Sequence, residues 1–115
     1  MDPSDDWQLQ YFQTAGGRVP FREWRDSLSD RKAVAAIRAR LTRIRRGLFG
    51  DCEPVGEGVR IDFGPGYRGY FFRAGRRVIL LLCGGDKKTQ AADISKAKHY
   101  RRDYEQRTRG TLGSG

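Results

Sequence analysis

Val59-Arg60-Ile61-Asp62-Phe63-Gly64-Pro65-Gly66-Tyr67-Arg68-Gly69-Tyr70-Phe71-Phe72-Arg73 is the stretch on which the fold turns. Val59, Ile61 and Phe63 alternate with Arg60 and Asp62, the two-residue period of a strand with one buried face. Gly64-Pro65-Gly66 supplies turn residues and Tyr67 to Arg73 resumes an extended pattern, so the stretch reads as a hairpin. A two-residue type II turn at Pro65-Gly66 twists against its strands, so a three-residue loop closing on Phe63 and Tyr67 is expected. That register sets Ile61 opposite Gly69 and Val59 opposite Phe71 on an apolar face. Asp62 then opposes Arg68, and Arg60 opposes Tyr70, on the other face.

Downstream, Ala74-Gly75 punctuates the chain before Val78 to Cys83 (VILLLC), an apolar run suited to a strand covered on both faces and central in its sheet. Gly84-Gly85-Asp86 breaks it, and Gln90 to about Arg107 carries Ile94, Ala97 and Tyr104 on one side of a helix. Upstream, Trp7 to Thr14 alternates loosely and reads as a first strand ended by Ala15-Gly16-Gly17. Pro20 stands where a helix favours its first residue, with Phe21, Trp24 and Leu28 following at helical spacing. Ser29-Asp30 offers a cap for a longer helix, Arg31 to about Leu48, whose apolar stripe is Val34, Ile37, Leu41, Ile44 and Leu48. Helices are grouped rather than alternating with strands, which predicts an α+β fold. One domain is expected over residues 1–109, with a flexible tail over 110–115.

The 115 residues suit a single domain, and 37% hydrophobic with 32% charged residues is a globular mix. No apolar run nears the ~20 residues that span a bilayer. The acidic start, Met1 to Asp6, lacks the basic and then apolar pattern of a secretory signal, so a cytoplasmic protein without a membrane partner is expected. Cys52, Cys83 and His99 are too few for a disulfide scaffold or a zinc site, so no metal or other cofactor is expected. The chain carries 23 Lys and Arg against 14 Asp and Glu, a net charge of +9, which points to a polyanionic partner. Most of the basic residues are arginine, whose planar fork suits phosphate. In the longer helix, Lys32, Arg43 and Arg46 lie opposite the apolar stripe and Arg38 and Arg45 flank it, making one face cationic.

Gly84-Gly85-Asp86-Lys87-Lys88-Thr89-Gln90 leads from the apolar strand into a helix, where glycine admits close backbone approach and a helix N-terminus favours anions. Its spacing is not that of a Walker loop. Gly64-Pro65-Gly66-Tyr67-Arg68-x-Tyr70-Phe71, followed by Leu81-Leu82-x-Gly84-Gly85-Asp86-Lys87-x-x-Gln90-x-x-Asp93-Ile94-x-x-Ala97, closely resembles the HigB-like branch of the RelE/ParE toxin superfamily. So do Pro20-Phe21-x-x-Trp24 and the Arg-Leu-x-Arg-Ile-x-x-Gly run from Arg40 to Gly47. Several spaced motifs thus occur in the family's order, over roughly residues 7 to 105. The chain departs from the resemblance at Gly58-Val59-Arg60-Ile61, where the strand is a few residues short, and at Asp93, where RelE-type enzymes often carry a tyrosine.

The resemblance implies a RelE-like twisted antiparallel sheet packed by two N-terminal helices, with a C-terminal helix. It implies the toxin of a type II toxin-antitoxin system: a ribosome-dependent, metal-independent mRNA endonuclease neutralised by a cognate antitoxin. The implied partners are a HigA-like helix-turn-helix antitoxin, the ribosome and mRNA. A ParE-like toxin that binds DNA gyrase without catalysis is the alternative. The resemblance carries Arg68, Lys87 and Arg60 over as catalytic residues, and Gln90 and Asp93 are added to them as candidates from their place at the start of the last helix. Arg68 matches the family's strand arginine, Lys87 follows the last strand where relatives place a basic residue, and Arg60 lies on the neighbouring strand. Gln90 is a candidate for orienting the phosphate and Asp93 for accepting a proton, while Arg73, Lys88, Tyr70, Arg43 and Arg46 are candidates for RNA contact.

Overall fold

The alternation around Gly64 forms the expected hairpin. The computed structural model, which describes residues 6–113, pairs β3 (Gly58–Gly64) with β4 (Tyr67–Gly75) in antiparallel fashion. The pairs Val59↔Phe71, Arg60↔Tyr70, Ile61↔Gly69 and Asp62↔Arg68 are those the side-chain pattern predicts. The turn itself differs. Gly64 pairs with Tyr67 around Pro65-Gly66, and a register shift between Asp62 and Gly64 takes up the extra residue. Gly64 and Gly66 have φ of +144° and +83°, so glycine permits both the bulge and the tight turn.

Five strands form one sheet in the order β1-β5-β4-β3-β2, where β1 is Gln8–Tyr11, β2 is Cys52–Val55 and β5 is Val78–Asp86. The expectation of an antiparallel sheet is corrected at one edge, because β1 runs parallel to β5. Parallel neighbours need a long crossover, and α1 (Pro20–Ser27) and α2 (Arg31–Arg45) follow β1 where a hairpin would have reversed it. Strand β2 is an addition to the sequence reading. Its Cys-Glu-Pro-Val lacks strict alternation, and Pro54 is tolerated because the strand lies at the sheet edge.

One face of the sheet packs against α1 and α2. There Phe21, Ile37, Leu41 and Ile44 meet Ile61, Phe63, Phe71, Ile79 and Leu81. The other face carries Tyr70, Phe72, Leu80 and Leu82 beneath Ala97 and Ile94 of α3 (Gln90–Gly113). Residues Ile79 to Cys83 are buried on an interior strand, as the VILLLC run requires. Asp30 caps α2, its carboxylate accepting from the Lys32 and Ala33 backbone N–H groups at 3.0 and 3.1 Å. Leu48 does not join the stripe: α2 ends at Arg45, Gly47 turns the chain with φ +84°, and Leu48 is 61% exposed. Ala33 takes a buried place in the stripe instead. α3 continues to Gly113, into the stretch expected as a tail over 110–115, and residues 114–115 lie outside those described. Among the described residues, no helix is long and apolar enough to cross a membrane.

Candidate functional site

The register of β2, β3 and β4 places Glu53, Arg60, Asp62, Arg68 and Tyr70 on the sheet face that α3 covers, close to where that helix begins. Arg60 is the hub. Its Nη2 donates to Glu53 Oε2 at 2.7 Å and its Nη1 to Gln90 Oε1 at 3.5 Å, while its Nε lies 3.3 Å from Asp62 Oδ1. Arg68 Nη1 lies 3.4 Å from the same Asp62 oxygen. The two arginine side chains are 13% and 18% exposed, so both guanidinium groups are recessed rather than free in solvent. Two arginines face two carboxylates, which leaves the cluster near neutral.

Beneath the arginines, Tyr70 is only 1% exposed and its hydroxyl has no hydrogen-bond partner. Burial, followed by the nearby Asp93 charge, pushes its phenol up to about 12, so it is neutral at ordinary pH. The expectation that Tyr70 stacks a base is corrected, since its ring is covered by the helix layer. Asp93 is likewise buried, at 5% exposure. Its Oδ2 accepts from the Thr89 hydroxyl at 2.5 Å, and Thr89 is itself held by Asp86 through a reciprocal cap of the 3₁₀ turn Lys87–Thr89. Gly85 lies against the carboxylate so closely that a Cβ there would overlap Asp93 Oδ2. The expectation of a proton acceptor at Asp93 is therefore corrected: this carboxylate is built into the strand-to-helix junction, away from solvent. Nearby Cys83 is buried and its thiol is pushed up to about 12 by that burial.

Of the residues singled out in the sequence, Arg60, Arg68 and Gln90 come together at the surface of this site, with Tyr70 and Asp93 under it. Lys87 and Lys88 instead line a hollow with Pro65, Gly66, Tyr67 and Asp86, where the Lys87 backbone N–H donates to the Gly66 carbonyl at 2.9 Å. Arg73 is on the opposite sheet face, its guanidinium 5.2 Å from the Trp7 ring centre and 4.9 Å from that of Phe49. Arg43 and Arg46 are exposed at the C-terminal end of α2, in the layer on that same opposite face. Glu53 is the site residue that sequence reading missed. Its signal was Val55-Gly56-Glu57-Gly58, a two-residue turn whose Gly56 has φ +54° and which pairs Val55 with Gly58.

His99 is exposed, and among the described residues no group of three or more His, Cys, Asp or Glu is placed to hold a metal ion. No family model matches the chain, and no solved structure matches it. An uncharacterized protein of Haemophilus influenzae is 44% identical over 83 residues, a span covering 70% of this chain and 84% of the relative. Identity at that level over most of both chains means that the chain belongs to the same family as the Haemophilus influenzae protein.

Proposed function

We propose that the chain is the toxin of a type II toxin-antitoxin system, an mRNA endonuclease of the RelE/HigB kind that acts on the translating ribosome in the cytoplasm. The observation that carries this reading is the convergence of Arg60, Arg68 and Gln90 on one recessed spot of the sheet at the start of α3. The order of one strand, two helices and then a meander of strands supports the RelE-like arrangement, with β1 parallel to its neighbour as a variation.

In RNA cleavage of this type the 2′-OH loses its proton and attacks the adjacent phosphorus, and the 5′-oxygen departs with a proton. The products are a 2′,3′-cyclic phosphate and a 5′-OH. Negative charge grows on the nonbridging oxygens, so fixed guanidinium groups stabilise the transition state more than the ground state. Arg68 supplies that charge, and Arg60, braced by Glu53 and Gln90, fixes the phosphate beside it. Glu53 and Asp62 are the carboxylates open to solvent at this spot, at 66% and 40% exposure, whereas Asp93 is not. Lys87 belongs to the rim beside the hairpin turn. A HigA-like antitoxin would hold the toxin inactive.

The test is to incubate the purified protein with translating ribosomes and map mRNA 5′ ends. New 5′-OH ends within the coding region are expected. Intact mRNA together with inhibited DNA gyrase would assign the chain to the ParE-like, non-catalytic class instead.

A further inference from the structure

The Asp62 carboxylate holds an unusual position. Its Oδ1 lies between two guanidinium groups, 3.3 Å from Arg60 Nε and 3.4 Å from Arg68 Nη1. Neither approach has the direction of a hydrogen bond. Both Oδ1 and Arg60 Nε are shielded from water and lack a hydrogen-bond partner, as does the Tyr70 hydroxyl beneath them, on a residue 1% exposed. A carboxylate that had settled as a structural partner would satisfy these atoms, since buried polar groups are almost always paired. Here charge is balanced while hydrogen-bonding capacity is left over.

We propose that Asp62 is a built-in, displaceable stand-in for a phosphodiester, occupying the place between Arg60 and Arg68 that a backbone phosphate of RNA takes on binding. The inference rests on reading these two arginines as the phosphate-holding pair. Three features make the exchange feasible. Asp62 is at the bulge between β3 and its turn, and its side chain is 40% exposed, so it can rotate toward solvent without unmaking core contacts. Arg60 is held on its other edge by Glu53 at 2.7 Å and Gln90 at 3.5 Å, so its guanidinium stays in place when the carboxylate leaves. The charges also match, because a phosphodiester and a carboxylate each carry a single negative charge. The tetrahedral phosphate presents two nonbridging oxygens, enough to give each arginine a directed bond. The phosphate-binding pair is therefore kept arranged and neutralised until a phosphodiester displaces the aspartate.

The experiment compares the wild type with Asp62→Asn, and with Asp62→Ala as a second variant lacking the amide. The probe is a short oligoribonucleotide made uncleavable by 2′-deoxy substitution, titrated by calorimetry at fixed salt, with a thermal melt on each protein. Both variants are expected to bind the probe about tenfold more tightly, because a fixed negative charge beside the entering phosphate is gone. Adding Arg68→Ala to either is expected to abolish the gain. Unchanged or weaker binding by folded Asp62→Asn and Asp62→Ala overturns the inference. Cleavage by the wild type alongside that result leaves the nuclease reading standing without it. Tighter binding by both variants, with no cleavage by the wild type, supports the displaceable anion and removes the nuclease reading.

Discussion

Replacing Tyr70 with Phe removes one hydroxyl from the floor of the site and leaves the ring that packs with Phe72, Leu82 and Ala97. A buried hydroxyl without a partner carries a desolvation penalty of about 1–3 kcal/mol. Tyr70 is 1% exposed and its hydroxyl is unpaired, so most of that penalty is present in the folded protein and absent in the unfolded chain. Losing a little van der Waals contact offsets part of the gain, leaving about 1 kcal/mol of stabilisation. For a chain of this size that is a rise in Tm of roughly 4 °C. The pH dependence gives a second readout. A phenol at about 12 in the folded state and near 10 when unfolded keeps its proton longer when folded. This titration therefore leaves stability unchanged below about pH 10 and lowers it as pH rises from there toward 12, where the unfolded chain ionises and the buried phenol does not. Urea unfolding of both proteins from pH 7 to 11 is the assay. Tyr70→Phe is expected to be more stable at pH 7 and to lose less on the alkaline side. Destabilisation of about 1 kcal/mol or more at pH 7 would show that the hydroxyl has a partner and refute the reasoning.

Gly85→Ala is expected to unfold the junction before α3, because the added Cβ meets the Asp93 carboxylate and lies 2.8 Å from Thr89 Oγ1; a melt unchanged from wild type would contradict that packing. Arg43→Gln with Arg46→Gln is expected to leave the fold intact, since both side chains are exposed, and to weaken ribosome or RNA binding while flattening its salt dependence. An unchanged salt slope would make that face a solvated one.

Much of the fold was legible because its causes are local. The two-residue period from Val59 to Phe63 set the pairing with β4, and the bulge before Gly64 absorbed the one misjudged turn residue without altering it. Pro20 and Asp30 start their helices where chain chemistry favours a start. The direction of β1 was not legible, because no hairpin ties it to its neighbour β5, some 70 residues away in the chain. Strand β2 was hidden by Pro54 and by its four-residue length. In the site, opposition of Asp62 and Arg68 follows from strand register, but the contact of Arg60 with Gln90 joins residues 30 apart. Sequence pattern turns Tyr70 and Asp93 toward a ligand because it assigns a face and not what covers it. The covering element is α3, and its packing on this face is a tertiary fact.

Single-turnover cleavage of mRNA on programmed ribosomes by wild type and Arg68→Ala, each checked by a thermal melt, tests the assignment of the site most directly. The lost ion pair to Asp62 at 3.4 Å is part-exposed and lacks a directed hydrogen bond, so truncation is expected to cost about 1 kcal/mol or less of stability. Removing a preorganised charge donor is expected to lower the cleavage rate by about 100-fold or more. A folded Arg68→Ala protein that cleaves at the wild-type rate would contradict the assignment of Arg68 and the site built around it.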